Sequence, residues 1–362
     1  MADEEYTKAD YYRALRKKRL FISVCVILIV IAFGISLTVG FYDIGFVETY
    51  KVIIDHLAGN IADVSDDNII WGTRLPISLF AILCGGVLAA GGAVMQSVLR
   101  NPLADPYTMG ISSGASLGAA LSIILGLSLV PGLSESVSLT VMAFVFALIP
   151  VAIILVMSRK HRVTPTKLVL IGVAVMYMFS AITSLLMITA SDETLSEVYS
   201  WMVGSLSGVK WSSLPIPLVV SVVCLVLIYT QYRSINVSMS GNRCTRSMGV
   251  DPKKLTLRMM VLISLMTAAV VSYTGSIGFV GLVAPHIARI FVGSESKYLI
   301  PSSIAFGALF LLLANSIAKV TSDFGLPVGV ISALIGCPIF VLVLLRLSLI
   351  HISEPTRLQL IS

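Results

Sequence analysis

Long apolar runs closed at their ends by charged residues constrain this chain more than any other feature. Ten can be placed, at residues 20–40, 75–98, 107–127, 138–158, 167–189, 212–232, 256–274, 278–292, 300–318 and 328–346. Each lies near the ~20 residues that an α-helix needs to cross a bilayer. In hydrocarbon every backbone N–H and C=O must be satisfied within the protein, so runs of this kind read as helices. Composition agrees: 57% of the 362 residues are hydrophobic and 12% charged. That charged share is about half the usual one in a soluble domain, too little polar exterior for a fold in water. The fold class is therefore all-α, a polytopic membrane protein of about ten transmembrane helices. The eighth run is short and holds Pro285 and His286, which predicts a kinked or partly unwound span.

The basic residues set the orientation. With the N-terminus in the cytoplasm and the runs alternating, Arg159-Lys160-His161-Arg162 and the stretch from Arg233 to Arg258 face inward. Lys51, Arg74, Lys210 and Lys319 then fall outside, and every other Lys and Arg before residue 348 falls inside. This asymmetry supports an even number of spans with both termini cytoplasmic. It divides the chain into an N-terminal tail, 1–19, and a membrane domain, 20–347. Residues 348–362, with Ile350-His351-Ile352-Ser353-Glu354-Pro355-Thr356-Arg357, resemble a translated sequencing-adapter read-through and are expected to be non-native. Arg16-Lys17-Lys18-Arg19 precedes an apolar run too long for a signal-peptide core, so that run reads as the first span. The net charge of +6 is spread in short clusters between spans, which does not suit a nucleic-acid surface. Cys25, Cys84, Cys224, Cys244 and Cys337 contain no CxxC pair and suggest small-residue packing, not a disulfide framework or zinc site. Two external segments are long enough for local structure: the acidic 41–73, and 190–211, where Trp201 and Trp211 suit a short interfacial helix.

The interior of the spans limits the energy source. Their middles hold no Asp, Glu, Lys or Arg, and His286 is the titratable candidate there. Ion- or proton-coupled transport needs such groups at depth. The chain also lacks G-x-x-x-x-G-K-[ST], so no phosphate-cradling loop is present. A transporter with neither needs a separate motor, and the basic cytoplasmic connection 233–255 is the loop suited to meet one. Small residues run along the second span (Gly85, Gly86, Ala89, Ala90, Gly91, Gly92, Ala93) and the third (Gly110, Ser112, Ser113, Gly114, Ala115, Ser116, Gly118). They read both as close helix packing and as a smooth wall for a bulky solute. A rival reading takes Gly110-Ile111-Ser112-Ser113-Gly114 as G-x-S-x-G with His286 as base, an intramembrane serine hydrolase. That elbow needs a strand before the serine, and a Pro-rich turn stands there instead. A secondary transporter is the other rival. Otherwise His286 is a helix-packing histidine bonded to a neighbouring carbonyl; one His without carboxylates or thiolates is a poor iron site.

An ordered set of motifs resembles the FecCD family of iron-compound and cobalamin ABC permeases. Arg74-Leu75-Pro76 is similar to that family's entry to the second span. Gly92-Ala93-Val94-Met95-Gln96, then Asn101-Pro102-Leu103-Ala104-Asp105-Pro106, resemble its G-A-x-x-Q…N-P-L-A-D/E-P block, and Gly110 to Ala115 continue it. Gly241…Thr245-Arg246-Ser247-Met248-Gly249, Gly278-Phe279-Val280-Gly281 through Pro285-His286 to Arg289, Pro327-Val328-Gly329 and Gly336-Cys337-Pro338 follow. The resemblance covers roughly residues 70–346.

The resemblance implies the type II ABC importer architecture, a bacterial or archaeal cytoplasmic membrane, and inverted halves made of spans 2–5 and 7–10. It implies a second permease subunit (a second copy or a paralogue), cytoplasmic ABC ATPase subunits that hold ATP and Mg, and an extracytoplasmic substrate-binding protein or lipoprotein. This chain would bind no cofactor or metal and hydrolyse nothing itself. The cargo would be an iron–siderophore-type chelate, with cobalamin or haem as alternatives. The coupling loop corresponds to Gly241, Thr245, Arg246, Ser247, Met248 and Gly249, and binding-protein docking to Arg74 and Lys319. Gln96, Asn101, Pro102, Ser112, Ser113, Gly114, Gly278, Gly281, Pro285 and His286 fall on the path or its packing. The chain departs from the family pattern at Ile77, where many members have Arg, at Asn315, where Asp is common, and at Lys319, which replaces a usual Arg and loses its bidentate fork.

Overall fold

Helices account for most of the described residues. The structure, a computed structural model, describes residues 8–40, 42, 44–160, 164–321 and 326–353. Its helices are Lys8–Thr38 (α1), Phe46–Ala58 (α2), Val64–Ile69 (α3), Leu75–Leu99 (α4), Ile111–Leu125 (α5), Glu135–Lys160 (α6), Pro165–Ile188 (α7) and Asp192–Val203 (α8). Pro215–Thr230 (α9), Tyr232–Met239 (α10), Asn242–Ser247 (α11), Pro252–Thr274 (α12), Val280–Val292 (α13), Ser296–Val320 (α14) and Val328–Ser353 (α15) complete them. Ten coincide with the ten apolar runs. Seven of these are long and apolar enough to cross a membrane, while α5, α13 and the start of α15 form shorter apolar helices. The helix α1 runs unbroken from Lys8, with no break between a tail and a first span at residue 19. The backbone of α15 continues to Ser353; residues 354–362, most of the proposed read-through, lie outside the described residues.

The packing follows an approximate two-fold pattern. Helix α4 packs on α14 as α12 packs on α6; α5 lies against α6 and α7 as α13 lies against α14 and α15. Helix α4 also meets α13 as α12 meets α5, and α4 and α12 meet each other. Because α4 and α12 run in opposite directions, α4–α7 and α12–α15 are inverted halves, the arrangement expected of spans 2–5 and 7–10. Burial ranks the helices accordingly: α4 is almost wholly buried, whereas α7 and α9 expose Leu170, Tyr177, Leu185, Val219 and Val223 to the surroundings. Exposed apolar faces of that length are at home in lipid.

Neither α5 nor α13 crosses alone. At 1.5 Å per residue their 15 and 13 residues span only about 20 Å, short of the ~30 Å hydrocarbon layer. The missing depth comes from two non-α segments, 100–110 and 275–279. The first folds back along α4, so that Pro106 and Ile263 both lie against Gly91 while Gly110 lies against Pro150 and Gly172. These neighbours are near the middles of α4, α12, α6 and α7. The second segment descends from the other side: the Tyr107 hydroxyl accepts a hydrogen bond from the Ile277 backbone N–H at 3.1 Å, and the Ser112 and Ser276 hydroxyls bond each other. Both short helices therefore start near the middle of the bundle and leave in opposite directions. The unwinding predicted at Pro285 lies instead just upstream, where Phe279 has φ 68°; α13 runs through Pro285 without a break.

Backbone polar groups of these segments find partners within the protein, as burial requires. The Asp105 carboxylate accepts from the Tyr107 N–H at 2.6 Å, and Thr108 returns a bond to the Asp105 backbone, a capping box. Ser332 donates to the Gly278 carbonyl at 3.2 Å and Ser205 N–H to the Thr274 carbonyl at 2.8 Å. In-helix prolines remove a donor and free the carbonyl four residues earlier. The Gly281 carbonyl, freed by Pro285, accepts from Gln96 at 3.4 Å; the Lys297 carbonyl, freed by Pro301, accepts from the Tyr229 hydroxyl at 3.3 Å. The Phe146 carbonyl, freed by Pro150, lies against Gly114.

Glycines on α4 set these approaches. A Cβ added at Gly92 would overlap the Gly281 carbonyl, and one at Gly85 the Gly307 carbonyl. Gly92→Ala should therefore lower the thermal unfolding midpoint in detergent, with a cost of at least about 1–3 kcal/mol from overpacking. Gly208→Ala, where a Cβ meets nothing within 4 Å, should leave that midpoint unchanged in the same assay.

Candidate functional site

Three places concentrate the polar chemistry: in the orientation that the basic residues predict, one is on the cytoplasmic side, one near the middle and one on the external side. The cytoplasmic place is the 233–255 connection, folded as α10, α11 and the start of α12. Gly241, with φ 97°, turns the chain into α11, and Gly249, with φ 80°, turns it out. Thr245 is buried and holds the turn closed, its hydroxyl within hydrogen-bond distance of the Val237 and Gly241 carbonyls at 3.1 and 2.8 Å. Arg246, Ser247 and Met248 are exposed, and Met248 keeps 61% of its surface open. A lone short helix offering a cation and an exposed thioether suits a protein partner. Arg100, at the left-handed end of α4, donates to the Asn242 side chain at 2.7 Å and ties α11 to that helix. Arg100 was not singled out from sequence; only its place just before Asn101-Pro102 hinted at a helix stop.

The middle place is a concavity of about 350 Å³ lined by Tyr107, Thr108, Ser112, Ser113, Ser116, Ser180, Thr183, Ser184 and Ser276, with Met176 and Met202. It lies where α5 begins and is walled by α7. Hydroxyls and thioethers make up its polar surface, and no charged group lines it. Sequence reasoning found Ser112 and Ser113. It missed Ser180 and Ser184, whose i, i+4 spacing on an otherwise apolar helix was the available signal, and Ser276 and Tyr107, which the loops deliver.

The remaining path residues have packing roles. Gln96 is buried between α4 and α13; besides donating to Gly281, its carbonyl oxygen accepts from Arg289 at 3.2 Å. The Asn101 side chain accepts from the Leu103 N–H at 3.0 Å and, with exposed Pro102, shapes the turn after α4. Gly114 and Gly281 are close-approach sites, and Gly278 offers its carbonyl to Ser332. His286 bonds the Leu282 carbonyl through Nδ1 at 2.8 Å and meets the Phe340 ring edge-on. The Ser112 hydroxyl is paired with that of Ser276, not with His286. The fold also carries Asp105, outside the apolar runs in sequence, to the level of Leu88 and Gly281. A carboxylate thus does lie at depth, engaged in its capping box.

The external place is a cavity of about 410 Å³ lined by Tyr42, Thr73, Arg74, Ile77, Asn315 and Lys319, with Ser200, Ser205 and Ser207. Arg74 is only 5% exposed and donates to the carbonyls of Leu37, Thr38 and Tyr42 at 3.0, 2.8 and 2.5 Å. Lys319 donates to the Ser36 carbonyl at 3.4 Å. Both cations therefore sit on the carbonyl end of α1, where the helix dipole favours positive charge. Beyond the cavity, the Trp211 indole donates to the Trp71 carbonyl at 2.8 Å, and His56 stacks on Trp71 while bonding Asp67 at 2.7 Å. Trp211, expected to anchor an interfacial helix, thus joins 190–211 to 41–73, and α8 forms as expected.

Comparison with known proteins agrees with this geometry. The FecCD transport family matches residues 28–346. The chain is 38% identical to a cobalamin import system permease protein of Halobacterium salinarum, over 76% of this chain and 73% of that one. It is 30% identical to an Fe(3+)-citrate import system permease protein of Bacillus subtilis, over 91% and 96%. A solved structure described as a metal-chelate type ABC transporter in an inward-facing conformation superposes with a TM-score of 0.78 at 29% identity, over 90% of this chain and 98% of that one.

Arg74 is the residue on which a capping role and a docking role diverge. Arg74→Met removes the donor for three carbonyls. It should destabilise the isolated chain by about 1.5–3 kcal/mol, the usual range for a bond to a charged group. Thermal unfolding at low and high salt checks this; a loss that vanishes at high salt would mean that surface electrostatics, not capping, is the residue's contribution.

Proposed function

This chain belongs to the FecCD transport family, and from that premise we propose that it moves an iron–siderophore-type chelate inward across a bacterial or archaeal cytoplasmic membrane. It is the permease subunit of an ABC importer. The observation that carries the substrate reading is the hydroxyl- and thioether-lined concavity near mid-depth. Hydroxyls offer hydrogen bonds but ligate bare ferric ion poorly without carboxylates or thiolates beside them. A metal already saturated by its chelator asks for the wall seen here: polar, uncharged and weakly binding. Cobalamin and haem meet the same condition and stand as alternatives.

The concavity would be half of a path. A second permease subunit, a copy or a paralogue, would close it and keep the hydroxyls from lipid. The exposed Arg246, Ser247 and Met248 on α11 would dock in a cytoplasmic ABC ATPase that holds ATP and Mg, and the bond between Arg100 and Asn242 would pass its motion to α4. An extracytoplasmic binding protein would deliver the chelate near Arg74 and Lys319. Both termini would be cytoplasmic.

Reconstitution in proteoliposomes with the ATPase and binding protein tests the reading. ATP-dependent accumulation of a ferric trihydroxamate is expected, with none from the permease alone. Arg246→Glu should lose nearly all of that uptake while inserting normally. Proton-driven accumulation by the permease alone would overturn the proposal, and uptake of cobalamin or haem in preference to the ferric chelate would replace the substrate.

A further inference from the structure

A further cavity, of about 480 Å³, lies at the end of the bundle predicted to be cytoplasmic, among α4, α6, α7, α10, α11 and α12. Val98, Ser158, Leu168 and Thr256 line it, each at or one residue inside the cytoplasmic end of an apolar run. The cavity is therefore level with the inner-leaflet headgroups. Among the described residues its charged walls are cations: Arg246 on α11 and Lys253 in the first turn of α12. Asp251, two residues before Lys253, caps α12 by accepting from the Lys253 and Lys254 backbone N–H groups at 2.9 and 3.2 Å. Asn242 lies one turn before Arg246 on the same face of α11. Its amide oxygen accepts from Arg100, which leaves the amide NH2 for another acceptor. Thr256 is the most telling wall residue. Ser264 and Thr274 on the same helix donate to the carbonyl four residues back, and Ser158 and Ser238 in the wall donate to their own helices. The Thr256 hydroxyl, on a residue only 7% exposed, bonds no group among the described residues. Nor is it sealed off like the orphan Thr267 hydroxyl farther along α12, so the opening it has is the cavity. A buried donor so placed asks for an acceptor. An ammonium, a guanidinium, an amide and a hydroxyl around one space suit the oxygens of a phosphate group. The margin of the cavity is apolar: Leu257 lines it, and Val261, one turn deeper on the same face of α12, is 40% exposed.

We propose that this cavity binds a phosphate group, the source favoured by its depth and apolar margin being an anionic phospholipid of the inner leaflet. A soluble phosphate ester offers the same oxygens without the acyl chains. The inference takes from the permease reading only the cytoplasmic placement and is independent of the cargo. Of the exposed residues at the α11 turn, Arg246 lines the cavity, and Ser247 and Met248 do not. A bound phosphate joins α11 to α12 through Arg246 and Lys253 and leaves Ser247 and Met248 open to an ATPase. It braces the loop on which that ATPase acts without covering it.

The test titrates the detergent-solubilised permease–ATPase complex with dioctanoyl phosphatidylglycerol, the matching phosphatidylcholine and glycerol 3-phosphate, and counts bound molecules by native mass spectrometry. Saturable binding of phosphatidylglycerol is expected, at least about tenfold tighter than that of phosphatidylcholine, whose choline would add a third cation beside Arg246 and Lys253. Weaker binding of glycerol 3-phosphate than of phosphatidylglycerol assigns the phosphate to a lipid; equal or tighter binding assigns it to a soluble ester. Thr256→Val, which keeps the shape and removes the hydroxyl, and Lys253→Gln should each weaken binding by about ten- to a hundredfold, the scale of a lost charge-assisted bond. Lys254→Gln removes an equal charge from a residue that does not line the cavity and should leave binding unchanged. Unfolding midpoints report whether the variants fold, and either of the first two suffices if the other does not. The proposal is overturned if neither phosphatidylglycerol nor glycerol 3-phosphate binds saturably, or if phosphatidylcholine binds as tightly as the better of them. It is equally overturned by unchanged binding in folded Thr256→Val or Lys253→Gln, or by an equal loss in Lys254→Gln, which would mean diffuse surface attraction. Coupled uptake of a ferric trihydroxamate by the same complex with its binding protein, in proteoliposomes, separates the two readings. Uptake without phosphate-group binding sinks this inference alone; such binding without coupled uptake sinks the transport reading alone.

Discussion

A carbonyl released by a proline holds the centre of this bundle. Pro285 cannot donate to Gly281, and a carbonyl left unmatched in hydrocarbon would cost several kcal/mol. Gly92 has no side chain, so α4 approaches closely enough for Gln96 to supply the missing donor. The same glutamine accepts from Arg289 near the other end of α13. One buried side chain thus fixes a short helix at two points along its length. Replacing either glycine by a larger residue removes the approach; replacing the glutamine leaves the approach and removes the partners.

Everything that depends on α13 being short depends on that contact. A full-length helix would fill the middle of the bundle with its own satisfied backbone. Two half-length helices leave room there for 100–110 and 275–279, whose irregular backbones are tolerated because Asp105, Tyr107, Thr108 and Ser332 match their polar groups. These segments belong to opposite inverted halves and meet through Tyr107 with Ile277 and Ser112 with Ser276. The hydroxyl-lined concavity lies at this junction.

The helices were legible because their signal is local: apolar runs of bilayer length with charges at the ends leave little choice in lipid. Their expected orientation across the membrane rests on the basic residues alone. The re-entrant segments were not legible, since 100–110 reads as an ordinary Pro-rich turn and nothing in its order says that it folds back along α4. For the same reason Asp105 read as a loop carboxylate, and Ser276 and Tyr107 went unmarked. Pro285 drew attention correctly, but the unwinding fell upstream because Gln96 meets the need the proline creates. Arg74 and Lys319 stood out as external cations. That they end α1 was invisible, because the carbonyls they serve are about 35 and 280 positions away in the chain.

Charge is distributed along the transport axis in a way that follows from the cost of solvation. An ionised group at the centre of a span costs about 2.5–3.5 kcal/mol on insertion scales, and the central concavity is built from hydroxyls and thioethers. Arg74 and Lys319 are held at the C-terminus of α1, where unsatisfied carbonyls offset their desolvation. Charge is thus kept where backbone carbonyls can meet it.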